Sequence, residues 1–112
     1  MYDAALPKLG YRRVCSGKGF VGYGVEDGKD RFLIKQSDAT ASAGPQFHLA
    51  FSAPSREAVD AFYHAALEYG GTDNGPPGLR PHYGAHYYAA FIIDCDGHHI
   101  EAVNNQPKDT FD

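Results

Sequence analysis

From residue 11 onward the apolar positions come in short runs bounded by turn-forming residues. Residues 11–15, 20–25 and 31–35 are β-like, separated by Ser16-Gly17-Lys18-Gly19 and Glu26-Asp27-Gly28-Lys29. That punctuation predicts a short antiparallel meander. Residues 36–45, QSDATASAGP, are small and polar with Gly and Pro, and mark a linker between two halves. In residues 46–52, QFHLAFS, Phe47, Leu49 and Phe51 alternate with Gln46, His48, Ala50 and Ser52, the period of a half-buried strand. The aromatic face is expected under a helix, with His48 on the opposite face. The helix follows Pro54-Ser55, with Val59, Phe62, Tyr63, Ala66 and Leu67 on one stripe and Gly70-Gly71 at its end. Residues 72–84, TDNGPPGLRPHYG, are too rich in Gly and Pro for regular structure and read as a loop bearing Arg80, His82 and Tyr83. Loops of this length within a compact domain are often functional. A strand over 85–94, a turn at Asp94-Cys95-Asp96-Gly97 and a strand over 98–103 follow, with 105–112 as a loose tail. Residues 1–10 read as the end of a helix closed by Gly10, without the length for its beginning.

One residue breaks the apolar pattern of the last strand. Glu101 stands between Ile100 and Ala102, and a carboxylate on such a strand is costly unless a partner or a metal satisfies it. If the alternations hold, Glu101 and His48 both lie on the face away from the helix and converge. The alternative for His48 is a half-buried histidine bonded to a neighbour, and for Glu101 an acid paired with Arg or Tyr. His99 shares the Glu101 face by strand parity and is a candidate third ligand or proton donor, although neighbouring strand residues chelate one ion poorly. His98 falls in the turn or faces away. His82 and His86 have helical spacing, but Pro81 and Gly84 argue against a helix there, and His64 lies on the solvated side of the predicted helix. Arg80, Tyr83, Tyr87 and Tyr88 suit ligand contact, because a few polar groups among aromatics orient a small molecule. Tyr-rich strands also pack well in their own right, and alternation lets only one of Tyr87 and Tyr88 face the site.

Composition narrows the class of partner. The 112 residues suffice for one domain, and a formal charge of −4 without a basic stripe excludes nucleic acid. No apolar run is long enough to span a membrane, and the start lacks the features of a signal peptide, so a cytoplasmic protein is expected. Cys15 and Cys95 lie far apart without metal-type spacing and read as two buried free thiols.

The halves repeat one another. Tyr2-Asp3-Ala4-Ala5-Leu6 with Gly10 matches Tyr63-His64-Ala65-Ala66-Leu67 with Gly71, and residues 27–32, DGKDRF, match 96–101, DGHHIE. Each half is then a β-α-β-β-β unit, and the first, as it stands, lacks its first strand and most of its helix. A truncated start, a partner chain in the gap or an open edge would each account for that.

The segments HLAFSA, SREAVDAFYHAAL, GTDNGPPGLRPHYGAHYYAAF and DCDGHHIEAV together resemble the glyoxalase/bleomycin-resistance/dioxygenase family of the vicinal oxygen chelate superfamily. The likeness covers residues 46–104 closely and 2–35 loosely, and departs at Cys95, where relatives commonly have Pro. It implies an α+β fold in which two βαβββ modules form a cupped mixed sheet with helices on the outer face. Residues 1–35 would be the incomplete first module and 46–104 the second, in a single domain. It further implies His48 and Glu101 as metal ligands, with Glu101 also the catalytic base, and substrate contacts among Phe32, Arg80, Tyr83, Tyr87, Tyr88 and His99. Phe32 matches Glu101 in the repeat and cannot bind metal. In the enzyme branch of the family the implied cofactor is one divalent ion, zinc, iron, manganese or nickel, serving a lyase, isomerase or oxygenase. In the bleomycin-resistance branch a metal-free protein sequesters a small compound. The implied partners are a small molecule and a second copy of the chain.

Overall fold

The computed structural model describes residues 1–36 and 47–107. The expected linker from residue 37 onward, Gln46 and residues 108–112 of the tail lie outside that range. The chain opens with a single helical turn, α1 (Tyr2–Ala5), tightened into a 3-10 turn over Leu6–Leu9 and ended by Gly10 at φ 95. The glycine takes the left-handed conformation that closes helices at low steric cost. The meander follows as β1 (Arg12–Gly17), β2 (Phe20–Gly24) and β3 (Phe32–Lys35), an antiparallel sheet in the order β1-β2-β3.

The second half begins at β4 (His48–Ser52) and crosses through α2 (Arg56–Glu68). Ser55 caps α2, its hydroxyl accepting the Ala58 N–H at 3.1 Å, which satisfies one of the orphan donors of the first turn. Two short strands, β5 (Thr72–Asp73) and β6 (Gly78–Leu79), precede β7 (Tyr87–Ile93) and β8 (His99–Asn105). The sheet order is β4-β8-β7-β5, with β6 also on β7; β4 runs parallel to β8 and the other pairs are antiparallel. This is a mixed sheet, and a parallel neighbour requires the helical crossover that α2 supplies.

Residues 72–84 are thus more ordered than their composition predicts. Thr72 pairs with Ile93 and Gly78 with Ala89. The free edge of β7 needs backbone partners, and two-residue ladders use only N–H and C=O groups, which Gly and turn residues provide. The last strand also reaches Asn105, past the expected strand end at 103 and into the first residue of the expected tail, and Asn104 donates from Nδ2 to the Ala53 carbonyl at 3.0 Å.

The apolar stripe of α2 packs on one sheet face. Val59, Phe62 and Ala66 meet Ala90 and Ile92 of β7 and Ile100 and Ala102 of β8, and all of these are essentially inaccessible to solvent. Burying a side chain the size of Phe62 stabilises by about 1.5–3 kcal/mol. The paired-module α+β architecture expected from the sequence is present, but the cup is divided: among the described residues the two sheets are not joined by strand pairing. They meet through aromatic side chains, with Phe32 of β3 edge-on to Phe51 of β4 at 5.1 Å between ring centroids.

Candidate functional site

Strand parity decides what faces the helix and what does not. On β8, Ile100, Ala102 and Asn104 lie beneath α2 or next to it and are buried, so His99, Glu101 and Val103 take the opposite face. On β7, Ala90 and Ile92 are fully buried against the helix, so Tyr87, Ala89, Phe91 and Ile93 share the Glu101 face. The β4 register sets His48 beside His99 and Ala50 beside Glu101.

Glu101 is the centre of this face and only 3% exposed. Each carboxylate oxygen has a partner. His48 Nε2 lies 2.6 Å from Oε1, so the tautomer with hydrogen on Nε2 donates to it, and the Tyr87 hydroxyl donates to Oε2. Burial first, and then the Glu101 acceptor, push the Tyr87 phenol above the ordinary tyrosine range, so it stays a donor. His48 itself is half-exposed, its side chain 44% accessible, and the cluster therefore opens to solvent on the His48 side.

Phe91, directly opposite Glu101 in the antiparallel ladder, extends the site toward β6. Its ring lies 6.0 Å from that of His48 on one side and 5.2 Å from the Arg80 guanidinium carbon on the other. Tyr83 stands edge-on to Tyr87 at 5.2 Å and lies tilted against His82 at 4.2 Å. His48, Glu101, Tyr87, Tyr83 and Arg80 are therefore brought into one neighbourhood. His99 lies on the same face, beside His48 in the ladder, with no side-chain hydrogen bond among the described residues.

Two expected contact residues are elsewhere. Tyr88 points to the helix side, where its hydroxyl donates to Asp60 at 2.6 Å and the Arg56 guanidinium carbon lies 5.2 Å from its ring. Burial and the Asp60 acceptor push its phenol up to about 12. It ties α2 to the sheet because it shares parity with Ala90 and Ile92. Phe32 packs among Tyr2, Tyr23 and Phe51, on the core side of β3, while Leu33 is exposed. The repeat is in register at Asp27-Gly28 and Asp96-Gly97, whose glycines both have positive φ. The pairing registers differ, however, with eight residues between the paired Tyr23 and Phe32 in one half and five between the paired Ile93 and His99 in the other. That change flips strand parity, so Phe32 is the counterpart of Ile100 in orientation and not of Glu101.

A second cluster, absent from the candidate list drawn from sequence, lies in the β7–β8 turn. One ligand atom each of Asp94, Asp96 and His98 falls within 4.8 Å of the others. Its sequence signal is D-x-D-G-H. The chemistry of Asp94 is already committed to the turn: Oδ1 accepts the backbone N–H of Asp96 at 2.9 Å and of His98 at 2.8 Å, and Oδ2 accepts the Tyr2 hydroxyl at 2.7 Å and meets His98 Nδ1 at 3.2 Å. Cys95 is exposed on the same turn and Cys15 is partly buried, so the thiols are free as expected but less buried than expected.

A divalent ion can be tested against the donor set around Glu101. His48 and Glu101 are two conventional ligands, whereas catalytic zinc takes three from the protein and the iron facial triad needs two His with a carboxylate. Their ligand atoms sit at hydrogen-bond distance, while two atoms on one tetrahedral ion at zinc-type bond lengths are roughly 3.3 Å apart. The remaining oxygen of Glu101 is held by a phenol that resists ionisation. The described residues therefore do not by themselves make a complete catalytic metal centre.

Paired modules with a polar cluster on the helix-free face of a mixed sheet define the vicinal oxygen chelate class. The solved structure of a glyoxalase/bleomycin resistance protein from Albidiferax ferrireducens T118 is 32% identical, with a TM-score of 0.77, over 95% of this chain and 84% of that one. The chain belongs to the glyoxalase/bleomycin resistance protein family. The same fold recurs in a glyoxalase/bleomycin resistance protein/dioxygenase family enzyme from Burkholderia phytofirmans PsJN, 21% identical with a TM-score of 0.68 over 94% of this chain and 85% of that one. It recurs again in a bleomycin resistance determinant encoded on the transposon Tn5, 16% identical with a TM-score of 0.59 over 93% and 86%. Comparison with models of known families and with curated proteins matched none of either. Among the described residues no helix is long and apolar enough to cross a membrane.

Proposed function

We propose that the chain is a small-molecule-binding protein of the bleomycin-resistance type, taking its ligand on the Glu101 face of the mixed sheet without a metal. The observation that carries this reading is the closed hydrogen-bonding of Glu101, with one oxygen facing His48 and the other Tyr87. A carboxylate so held is a fixed acceptor for a ligand hydroxyl or amine, since each oxygen keeps a second lone pair. Phe91 and Tyr83 give the flat apolar surface that a small ring needs beside it. A second copy of the chain is the expected protein partner, and the cytoplasm the expected compartment.

A second reading follows from the same pair. His48 and Glu101 sit on adjacent parallel strands with ligand atoms 2.6 Å apart, and a small side-chain movement with a third ligand from outside the described residues would make them metal ligands. The chain would then be a lyase, isomerase or dioxygenase with Glu101 as ligand and base. Metal analysis after dialysis, beside His48→Ala and Glu101→Ala, separates the two. Binding shifts that persist in chelator, with no stoichiometric metal, are expected; metal at one per chain that falls in both variants would transfer the protein to the enzyme branch.

A further inference from the structure

Resting on the reading of this face as a ligand site, we infer that Arg80 determines its specificity by selecting small organic acids. The ligand would be an aromatic carboxylate with a hydroxyl or amine at the far end of its ring. The argument begins with how Arg80 is held. Its backbone N–H donates to the Tyr87 carbonyl at 2.7 Å and its carbonyl accepts from Tyr83 N–H at 2.9 Å, so its position is fixed to β7. The side chain is fixed as well: Nη2 donates to the Pro76 carbonyl at 2.6 Å, and the guanidinium carbon lies 5.2 Å from the centre of the Phe91 ring. Gly75 completes the seat. A Cβ there would lie 3.0 Å from Phe91 Cδ2 and 3.3 Å from Arg80 Nη2, at a backbone φ of 144 that side chains rarely adopt.

Such anchoring leaves the guanidinium oriented but not neutralised. Among the described residues no carboxylate pairs with Arg80, whereas Arg12 and Arg13 are matched by Asp27 and Asp3. A guanidinium carries five N–H donors, and one bond to Pro76 leaves the fork available to grip a carboxylate bidentately. Across the site stands the opposite sign. Phe91 is the direct ladder neighbour of Glu101, and such neighbours have Cβ atoms about 4.5–5.5 Å apart. A cation and an anion thus flank one aromatic ring, with Tyr83 and Tyr87 at the margin. A molecule lying on this face meets an anion receptor at the Arg80 end and a hydrogen-bond acceptor at the Glu101 end.

The experiment uses the full chain with four probes, benzoate, 4-hydroxybenzoate and their neutral amides, following Kd by calorimetry and the location of binding by backbone amide shifts. The parent should bind 4-hydroxybenzoate most tightly, with shifts centred on β7 and β8. Arg80→Gln should weaken the acid at least tenfold while leaving its amide within about twofold, and Arg80→Lys, which keeps charge without the fork, should fall between. Equal losses for acid and amide in Arg80→Gln, or no loss for either, would overturn the role of Arg80. Binding of the amides alone by the parent would also overturn it while leaving the face as a ligand site. Shifts that map away from β7 and β8 would overturn both. Thermal unfolding of each variant confirms that the comparison is made between folded proteins.

Discussion

Glu101 is a costly residue where it stands, and its cost can be tested directly. If the acid serves a ligand, replacing it with an apolar side chain of similar volume should be harmless to folding, because buried ionic groups exchanged for well-packed apolar ones are often neutral or stabilising. The partners it leaves behind, His48 and Tyr87, are both partly accessible and can turn to water. Glu101→Leu is therefore expected to change the unfolding free energy in urea by less than about 1 kcal/mol or to raise it, while abolishing ligand binding. A loss of about 3–5 kcal/mol, the usual result of breaking a needed buried pair, would make Glu101 a structural residue. Tyr87 gives a second test. Its raised phenol means that its bond to Glu101 is complete through neutral pH and up to the ordinary tyrosine range, and is lost only as the pH rises through the higher folded value. In a near-ultraviolet alkaline titration, Tyr87→Phe should remove one tyrosine from the late-ionising group; removal from the early group would contradict the bond. At this scale the sequence made the convergence of His48 and Glu101 legible, because Phe47 and Leu49 flank His48 and Ile100 and Ala102 flank Glu101. It could not separate Tyr87 from Tyr88, since the doublets Tyr87-Tyr88, Ala89-Ala90 and Ile92-Ile93 read the same in either parity. The helix above Ala90 and Ile92 makes that choice, and for the same reason Phe91 was invisible as a site residue.

Elements meet most sharply at the β7–β8 turn, where Asp94 joins the turn to α1 through Tyr2. Burial pushes the Asp94 carboxyl up, but the Tyr2 hydroxyl, the backbone N–H groups of His98 and Asp96, and the His98 ring outweigh it and hold the group below the ordinary carboxylate range. A depressed folded value contributes stability that is present above the unfolded carboxylate range and lost as the pH falls through the folded one. Acid unfolding of the parent should steepen below that range, and Asp94→Asn should flatten this limb while lowering stability at neutral pH. Equal acid limbs in the two proteins would show that Asp94 is not the coupled group. The turn was legible as Asp-Cys-Asp-Gly, but its tie to Tyr2, 92 residues away, was not. The internal repeat was legible too, although its helix ends differ by one residue: Gly10 is left-handed in the first unit and Gly70, not Gly71, in the second.

The whole molecule depends on how two sheets without shared pairing stay together. Phe51 is one joint, beside the packing of Ala5, Leu6 and Leu9 in the same core as α2: it is 7% exposed, edge-on to Phe32 at 5.1 Å and to Tyr11 at 5.9 Å, so one side chain of β4 touches the first half at two places. Tyr2 and Tyr23 extend the same cluster, and aromatic pairs of this kind are worth about 0.5–1.5 kcal/mol beyond the area they bury. Truncation removes both the contacts and the volume, and Phe51→Ala should cost about 3–5 kcal/mol, a large part of the 5–15 kcal/mol available to a typical domain. Coupling makes a stronger prediction than the magnitude. If the cluster binds the halves into one cooperative unit, hydrogen exchange of β2 and β7 amides should accelerate together in Phe51→Ala, and denaturant unfolding should remain one transition with an unchanged slope. The Leu33→Ala control, on the exposed face of β3, should leave β7 protection intact. Protection lost in β7 alone would mean that the first half is held by α1 and its Tyr2 bond instead, and Tyr2→Phe would then be the variant that releases it.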